Sequence, residues 1–313
     1  AETLAAIEGL AERGRGFVVK QDGLAGGKGV VVHDAADAPD AGRHIANHFA
    51  GSPGTAVIVE ERLEGYEASV IAICDGRDTL AMPAARDHKR LRDGEEGPNT
   101  GGMGAYSPLP DLDDTAVAAI IETVHRPILA ELAARGTPFV GALYAGLMLT
   151  ADGPVLLECN ARFGDPEAQV ILPRIATALG PWLRAAARRE LAAAAASVGL
   201  DLRAGLPTMR AASVGITLAG EGYPDRKSVG IPIEGIEAAR QAGAFVFHAG
   251  TRRAAGGDGH ETNGGRILTV VGRGRDVDGA RAIAEQAADL ISWPGMQRRH
   301  DIGLGLPVAE GVA

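Results

Sequence analysis

Four glycines lie within the eight-residue segment Asp22–Gly29, and a short apolar run stands on each side of it. The runs Phe17–Lys20 and Val30–His33 are rich in valine, so each is predicted to be a β-strand. Two strands joined by a glycine-rich turn form a hairpin rather than a strand–helix crossover. This prediction excludes a Rossmann fingerprint, which needs a helix after the loop, and a Walker A loop, which needs Ser or Thr where Gly29 stands.

The glycine-rich turn is predicted to hold an anion. Glycine lets the backbone turn tightly and direct its N–H groups towards negative charge. Lys28 lies inside the turn and Lys20 ends the preceding strand. Two lysines beside such a turn favour a polyphosphate ligand, and the alternative is a flexible hairpin tip with incidental lysines.

The pattern of apolar runs divides the 313-residue chain into three predicted domains, 1–62, 63–199 and 200–313. The first is a small, lid-like αβ unit with helices at 2–13 and 37–49 and a third strand at 55–60. The other two are predicted to contain strands at 66–74, 79–84, 139–150, 154–159, 211–218, 244–248 and 266–272, and helices at 113–134, 166–175, 181–195 and 277–291.

Residues 85–110 form a long predicted loop that is poor in aliphatic residues and rich in polar ones. Loops of this length inside compact domains are uncommon and usually functional. It carries Asp87-His88-Lys89-Arg90 and a second glycine-rich stretch, Gly97–Gly104. Adjacent basic residues beside such a stretch predict a second anion site, although His88 taken alone is more often a structural histidine.

Glu158 and Asn160 interrupt the apolar strand that ends near residue 160. Side chains alternate between the two faces of a strand, so these two share one face, and Arg162 joins them if the chain stays extended. Two oxygen ligands with room for water and phosphate suit Mg²⁺. The alternative is a strand end that meets solvent, and in either case Cys159 is expected to face the core.

Two further segments carry polar side chains at predicted element ends. Glu60–Glu67 lies between strands, where free backbone groups can bind an adenine edge and Glu67 can accept ribose hydroxyls; the alternative is a solvated acidic linker. A helix predicted to start at Pro166 directs its N-terminal dipole at the preceding loop. Arg162 in that loop can bind a carboxylate or phosphate, and Asp165 is either catalytic or a plain N-cap.

Composition excludes several classes of protein. The chain has 31 Lys and Arg against 40 Asp and Glu, a net charge of −9, which argues against general nucleic-acid binding. It has two cysteines, Cys74 and Cys159, which excludes a disulfide scaffold, fits a reducing cytoplasm and predicts two buried thiols. No apolar run approaches the roughly 18 residues of a membrane span, and the first residues lack a signal peptide's pattern.

Taken in chain order, these segments resemble the phosphoribosylamine–glycine ligase family of the ATP-grasp superfamily. The resemblance covers nearly the whole chain, and the segments that carry it are 19–30, 60–67, 87–90, 97–108, 144–148, 157–167, 248–251 and 262–266. It implies an α+β ATP-grasp fold: a small αβ lid, a larger subdomain with a mixed or antiparallel sheet, and a smaller C-terminal α/β domain. The reaction implied is ATP-dependent ligation of glycine to 5-phosphoribosylamine through a glycyl phosphate, giving glycinamide ribonucleotide, ADP and phosphate in purine synthesis.

The resemblance also implies a role for each matching residue. It assigns ATP to Lys20, Gly26, Gly27, Lys28, Gly29, Glu60, Glu61, Leu63 and Glu67, and Mg²⁺ or Mn²⁺ to Glu158 and Asn160. It assigns glycine and phosphoribosylamine to Asp87, His88, Lys89, Asn99, Thr100, Gly101, Arg162, Asp165, Pro166 and Glu167. Asp87, Arg162 and Asp165 are the expected catalytic residues, and the expected state is a cytoplasmic monomer with small-molecule partners, no nucleic acid and no membrane.

Three departures from the family pattern are visible. The glycine-rich N-terminal domain expected ahead of residue 1 is missing, the loop has Gly26 where a second alanine is usual, and Cys159 and Ala161 replace bulkier residues. The first departure leaves an alternative open, an ATP-binding fragment without turnover of its own. A second alternative is another ATP-grasp ligase with a different amine and acid, against which Asn99–Met103 and Phe163–Glu167 argue.

Overall fold

The computed structural model describes residues 2–22, 29–48, 56–254, 256–257 and 259–305. The chain forms two compact units, Ala1–Gly65 and Tyr66–Ala313. Gly26, Gly27 and Lys28, which the sequence predicts to bind phosphate, lie outside the described residues.

The first unit is a three-stranded antiparallel sheet with helices packed on one face. Its elements are α1 (Glu2–Ala11), β1 (Phe17–Gln21), β2 (Val30–His33), a 3₁₀ turn (Ala35–Asp40), α2 (Ala41–His48) and β3 (Val57–Glu61). The strand order is β2-β1-β3, so the predicted β1–β2 hairpin is confirmed. Phe17 and Val19 alternate onto the face that buries Ile7 and Ala41, which makes the small core of this unit.

The second unit begins with eight strands. They are β4 (Tyr66–Asp75), β5 (Thr79–Ala81), β6 (Arg86–Asp87), β7 (Arg90–Arg92), β8 (Glu96–Asn99), β9 (Gly104–Ser107), β10 (Val140–Thr150) and β11 (Gly153–Asn160). A four-stranded antiparallel sheet has the order β11-β10-β4-β5. Strand β4 is buried on both faces: Val70 and Ala72 enter one core, and Ile71 and Ile73 enter another.

The segment 85–110 is not the irregular loop that the sequence predicts, because it contains β6 to β9. β7 pairs with β8, and β9 pairs with β6 on one side and with a strand beyond residue 200 on the other. Each of these strands has two to four residues, too few for an alternation pattern to be visible. The domain boundary predicted at 199/200 stays a prediction. The pairing of β9 with a strand beyond residue 200 joins residues from both sides of that boundary in one sheet.

The helices of this region are more broken than the sequence predicts. They are α3 (Asp114–Ile120), a π-helical turn (Ile121–His125), α4 (Arg126–Ala134), α5 (Glu167–Ile171), a 3₁₀ turn (Leu172–Arg174), α6 (Leu179–Arg188) and α7 (Leu191–Ser197). Pro127 has no N–H to donate, and the π-helical turn ends just before it. The continuous helix predicted at 181–195 is wrong, because Arg189 adopts a left-handed conformation (φ 61°) that ends α6.

The remaining elements are β12 (Ala212–Ala219), β13 (Ser228–Ile233), α8 (Ile236–Gln241), β14 (Phe245–His248), β15 (Thr251–Arg253), β16 (His260–Gly264), β17 (Arg266–Gly274) and α9 (Val277–Asp289). They form a five-stranded antiparallel sheet, β14-β17-β12-β9-β6, and a three-stranded one, β13-β16-β15. Helix α9 lies close against β17 at Gly272, where a Cβ would come within 2.1 Å of the carbonyl oxygen of Ala280. Within the described ranges, no helix combines the length and apolar character that a membrane crossing requires.

Candidate active site

Carboxylates surround one lysine, Lys89, between β6 and β7 in the second unit. Lys89 forms an ion pair with Glu67 of β4 and lies within electrostatic range of Asp87 and Glu158. Burial opposes the charged form of Lys89, but Asp87 and Glu67 outweigh that effect, so the pKa of Lys89 lies above its ordinary value. The lysine therefore carries a permanent positive charge among three acids.

Asp87 is the carboxyl group of this cluster whose protonation changes near neutral pH. Burial is the main cause that raises its pKa, Lys89 opposes the rise, and Glu167 and Glu67 add to it, so that the pKa of Asp87 is raised to about 7. A carboxylate with a pKa near the working pH is suited to take up a proton from a reacting group.

A buried chain of hydrogen bonds adjoins Asp87. Ser69 Oγ donates to Glu167 Oε1 at 2.9 Å, so the hydroxyl of Tyr144, 2.9 Å from Ser69 Oγ, is the donor in that second contact. Glu167 is 3% exposed. Burial, together with Glu167 and Asp87, raises the pKa of Tyr144, which therefore stays a neutral hydrogen-bond donor.

Glu158 and Asn160 share a face of β11, as predicted, and Asn160 Nδ2 donates to Glu158 Oε1 at 3.1 Å. A β-bulge opposite Gly146 and Leu147 precedes them, and Gly146 leaves the space that Glu158 occupies, because a Cβ there would lie 3.2 Å from Glu158 Cγ. Among the residues the structure describes, no group of three or more His, Cys, Asp or Glu side chains is arranged to hold a metal. One carboxylate and one amide oxygen fit Mg²⁺, which keeps water and substrate oxygens as its other ligands.

The prediction that Cys159 faces the core is wrong: its side chain is exposed, whereas Cys74 is buried as expected. As alternation predicts, Cys159 lies on the face of β11 that does not carry Glu158 and Asn160. However, β11 is an edge strand, and Cys159 on that face is exposed.

The glycine-rich stretch after β8 is tied to the cluster through its backbone. Thr100 donates to the carbonyl oxygen of Lys89 from both its N–H and its hydroxyl, each at 2.8 Å. Gly102 has φ +112°, and a Cβ there would lie 2.4 Å from Cδ of Pro166. This stretch and the loop before α5, both predicted to bind substrate, are therefore in contact.

In the loop before α5, the charged residues make contacts that differ from those predicted. Helix α5 starts at Glu167, its N-cap is Pro166, and no side chain caps it, so the interpretation of Asp165 as an N-cap is wrong. Asp165 instead accepts from Gln169 Nε2 through Oδ1 and from Arg266 Nη2 through Oδ2, both at 2.8 Å. Arg162 is exposed and donates to the carbonyl oxygen of Phe163.

His88 lies between Asp87 and Lys89 in sequence, but its ring is directed to a different partner. His88 Nδ1 is 2.7 Å from Glu95 Oε1, and the fully buried Arg299 donates to the same oxygen. Arg299 also donates to Asp301, which accepts the N–H of Gly94. The C-terminal segment thus holds the β7–β8 hairpin, and the contacts of His88 support a structural role.

The first unit holds the other predicted ATP residues. Lys20 Nζ lies 2.5 Å from Glu60 Oε2 on the sheet face opposite the core. Three apolar side chains on that face are exposed by more than a third: Val30, Val32 and Ile58.

The remaining predicted ATP residues of the first unit have other surroundings. Glu61 pairs with Arg15, and Leu63 is half-buried. Gly29 accepts the N–H of Gln21 through its carbonyl oxygen.

Sequence reasoning did not single out Ser69, Tyr144, Tyr223, Arg266 or the buried Arg86 as site residues. Arg86 donates to the carbonyl oxygen of Glu67, to the hydroxyl of Tyr106 at 2.8 Å and to Asp111 at 2.7 Å, and so fixes the strand that carries Glu67. The available signal was a polar residue within an apolar strand, which marks Ser69 and Tyr144.

Comparison with known proteins identifies the family. Residues 2–168 match the model of the phosphoribosylglycinamide synthetase ATP-grasp (A) domain, and residues 213–305 match that of the phosphoribosylglycinamide synthetase C domain. The phosphoribosylamine–glycine ligase of Caulobacter vibrioides is 45% identical over 290 residues, which cover 92% of this chain and 65% of that protein. The Streptomyces coelicolor enzyme of the same name is 45% identical over 94% of this chain and 67% of its own length.

A solved structure agrees with this assignment. The crystal structure of phosphoribosylamine–glycine ligase from Thermotoga maritima matches with a TM-score of 0.75 and 31% identity, over 96% of this chain and 72% of that one. The α+β ATP-grasp fold with a C-terminal domain is therefore confirmed. The chain spans about two thirds of the length of the curated relatives it matches.

Proposed function

Because the chain belongs to the phosphoribosylglycinamide synthetase family, we propose that it catalyses the ATP-dependent ligation of glycine to 5-phosphoribosylamine. ATP phosphorylates the carboxylate of glycine, and the amine then attacks the glycyl phosphate, releasing phosphate and forming glycinamide ribonucleotide. The observation that carries the proposal is the charge arrangement around Lys89, with acids of β4, β6 and β11 in one cluster of the matched domain.

The charges of this cluster suit an acyl-phosphate reaction. Such a reaction needs its reactants positioned and its phosphate charge neutralised more than it needs a protein nucleophile. Lys89 supplies a fixed positive charge, and Arg162 supplies a second, exposed guanidinium on the loop before α5. We assign glycine and phosphoribosylamine to this loop and to Asn99–Gly101.

The metal donors in this proposal are Glu158 and Asn160. A bound Mg²⁺ or Mn²⁺ supplies charge neutralisation at the transferring phosphoryl group. The Glu158–Asn160 hydrogen bond fixes the orientation of both donors before any ligand arrives.

Asp87 is the proposed acceptor of the amine proton. Its pKa is raised to about 7, whereas both carboxylate oxygens of Asp165 already accept hydrogen bonds, from Gln169 and Arg266. Asp165 is therefore suited to orient a substrate, and Asp87 to hold a proton.

We assign ATP to Lys20, the predicted loop Gly26–Gly29, the backbone of Glu60–Leu63 and Glu67, as the family resemblance implies. Exposed apolar side chains beside the Lys20–Glu60 pair offer the kind of surface that a purine base covers.

A second candidate is ATP binding without turnover, and the observation behind it is that the chain spans 65% of the Caulobacter vibrioides relative. The test is ADP release from ATP with glycine, measured with and without 5-phosphoribosylamine. Release that needs both substrates supports the ligase. Nucleotide binding with no release supports the second candidate, and turnover with another amino acid in place of glycine overturns the ligase assignment. The monomeric state and the cytoplasmic location stay predictions.

A further inference from the structure

Arg266, the first residue of β17, joins two segments that are far from it in sequence. Its Nη1 donates to the carbonyl oxygens of Gly101 at 2.6 Å and of Asp165 at 2.8 Å, and its Nη2 donates to Asp165 Oδ2 at 2.8 Å. The side chain is 21% exposed. One guanidinium thus holds the glycine-rich stretch after β8 and the loop before α5 at a fixed separation.

Tyr223 holds the other side of the same peptide segment. Its hydroxyl accepts the N–H of Gly101 at 2.9 Å, and its ring lies over Gly265, where a Cβ would come within 2.5 Å of Cδ2 of the tyrosine. Both backbone polar groups of Gly101 are therefore bound by side chains from the C-terminal half of the chain.

The side chain at 266 has to be planar and forked to make these contacts. A guanidinium presents several N–H donors in one rigid plane, and an ammonium presents a compact charge on a flexible stem. Lysine can keep the charge opposite Asp165 but cannot reproduce the same three bonds. The Cβ position at Gly101 is also close to Arg266, 3.2 Å from Cζ, so the fit leaves little room for movement.

We propose that Arg266, with Tyr223, is a positioning residue that sets the separation between Gly101 and Asp165. The inference rests on the proposed function, because these two segments are the ones assigned to glycine and phosphoribosylamine. Arg266 has no role in ATP binding under this proposal. Losing it displaces the two substrate segments and leaves the nucleotide residues unchanged.

The experiment compares Arg266→Gln, Arg266→Lys and Tyr223→Phe with the unaltered chain. Arg252→Gln is the matched control, since Arg252 is an arginine of the same region that forms an ion pair with the carboxylate of Glu261. Amide hydrogen exchange over residues 97–104 is measured without substrates, and steady-state kinetics are measured with each substrate varied in turn.

Arg266→Gln is expected to speed exchange over 97–104 roughly tenfold, because the carbonyl oxygens of Gly101 and Asp165 and the Asp165 carboxylate lose their donor. It is expected to lower kcat/KM for glycine and phosphoribosylamine roughly 100-fold, as small misplacements of substrate do. The KM for ATP stays within about twofold of the unaltered value, because the hydrogen bonds of Arg266 and Tyr223 described above go to Gly101 and Asp165. Arg266→Lys is expected to recover part of the loss, Tyr223→Phe to show a smaller loss, and Arg252→Gln none.

Unchanged exchange over 97–104 in Arg266→Gln overturns the positioning role. An equal change in the KM of all three substrates, accompanied by a fall in Tm, also overturns it. If Arg266→Gln fails to fold, the same measurements on Tyr223→Phe and Arg266→Lys decide. Failure of the unaltered chain to release ADP with glycine and phosphoribosylamine contradicts the proposed function alone, because the exchange comparison needs no substrate.

Discussion

Asn160 Nδ2 lies 3.1 Å from Glu158 Oε1, on the same face of one strand and two residues along it. The amide nitrogen is the donor, so the oxygen of the Asn160 amide and the second oxygen of the Glu158 carboxylate are left to bind a cation. This arrangement makes the pair the proposed metal donors.

Replacing Glu158 is expected to abolish metal-dependent turnover. In Glu158→Ala the remaining amide oxygen cannot hold a divalent ion alone, and we expect kcat to fall by at least roughly 100-fold. The measurement is ADP release at increasing Mg²⁺. Cys159→Ser, an exposed change on the same strand, is the control and should retain activity; full activity in Glu158→Ala would remove this residue from the metal site.

Asp87 is expected to give the reaction its pH dependence. Its pKa is raised to about 7, and only the ionised form accepts a proton, so kcat/KM should fall as the pH drops through 7. The measurement is the pH profile of kcat/KM. Asp87→Asn should be nearly inactive at every pH. An active Asp87→Asn variant with an unshifted pH profile of kcat/KM would show that another group accepts the proton.

The same shift predicts how stability depends on pH. A carboxyl whose folded pKa exceeds its unfolded value holds its proton longer in the folded state, so stability falls as the pH rises from about 4 to about 7 and stays low above that. Asp87→Asn should therefore raise Tm more at pH 8 than at pH 4, measured by thermal unfolding. An equal change at both pH values would show that Asp87 titrates normally.

How much of this site the sequence predicts depends on how local each contact is. Glu158 and Asn160 are found from strand alternation alone, and the β1–β2 hairpin is found from two valine-rich runs around glycines. The Arg266–Asp165 contact joins residues 101 positions apart. No spacing rule predicts such a contact, because tertiary packing alone brings the two segments together.

The errors in the predicted secondary structure have the same physical origin, because contacts outside the local sequence decide where these elements form and end. Strand β9 is four residues long and is stabilised by pairing with β6 and β12, so its own sequence carries almost no signal. Arg189 ends α6 in a left-handed conformation that favours glycine or asparagine. The sequence around it is alanine-rich and predicts a continuous helix.

Lys28 is expected to bind a phosphate of ATP. Removing a charged donor from a phosphate contact costs about 1.5–3 kcal/mol, so Lys28→Ala should raise the Kd for ATP roughly tenfold to a hundredfold. Direct ATP binding is the measurement. Lys227→Ala, at an exposed lysine of the second unit, is the control, and equal affinities in the two variants would remove Lys28 from the phosphate loop.

Removing Arg86 is expected to lower the stability of the fold strongly. Arg86 is 6% exposed and bonded to Asp111, Tyr106 and the backbone of Glu67. Arg86→Ala leaves Asp111 without its buried partner, and such losses cost about 3–5 kcal/mol. Chemical unfolding measures this, with Arg77→Ala, at an arginine whose side chain is 87% exposed, as the control. A loss below about 1 kcal/mol would mean that Asp111 finds solvent or another donor.

Gly102 tests whether contact between the two substrate segments matters for activity. In Gly102→Ala a Cβ would lie 2.4 Å from Cδ of Pro166, and φ is +112°, so the backbone has to move away from the loop that carries Asp165. Gly94→Ala is the matched control, because Gly94 also has positive φ (+69°) but nothing lies within 4 Å of its Cβ position. Both variants carry the strain of an alanine at positive φ, of the order of 1–3 kcal/mol. Only Gly102→Ala should also lower kcat/KM for glycine, by roughly 100-fold. If steady-state kinetics show equal losses in the two variants, backbone strain alone accounts for them, and contact between these segments is not required for catalysis.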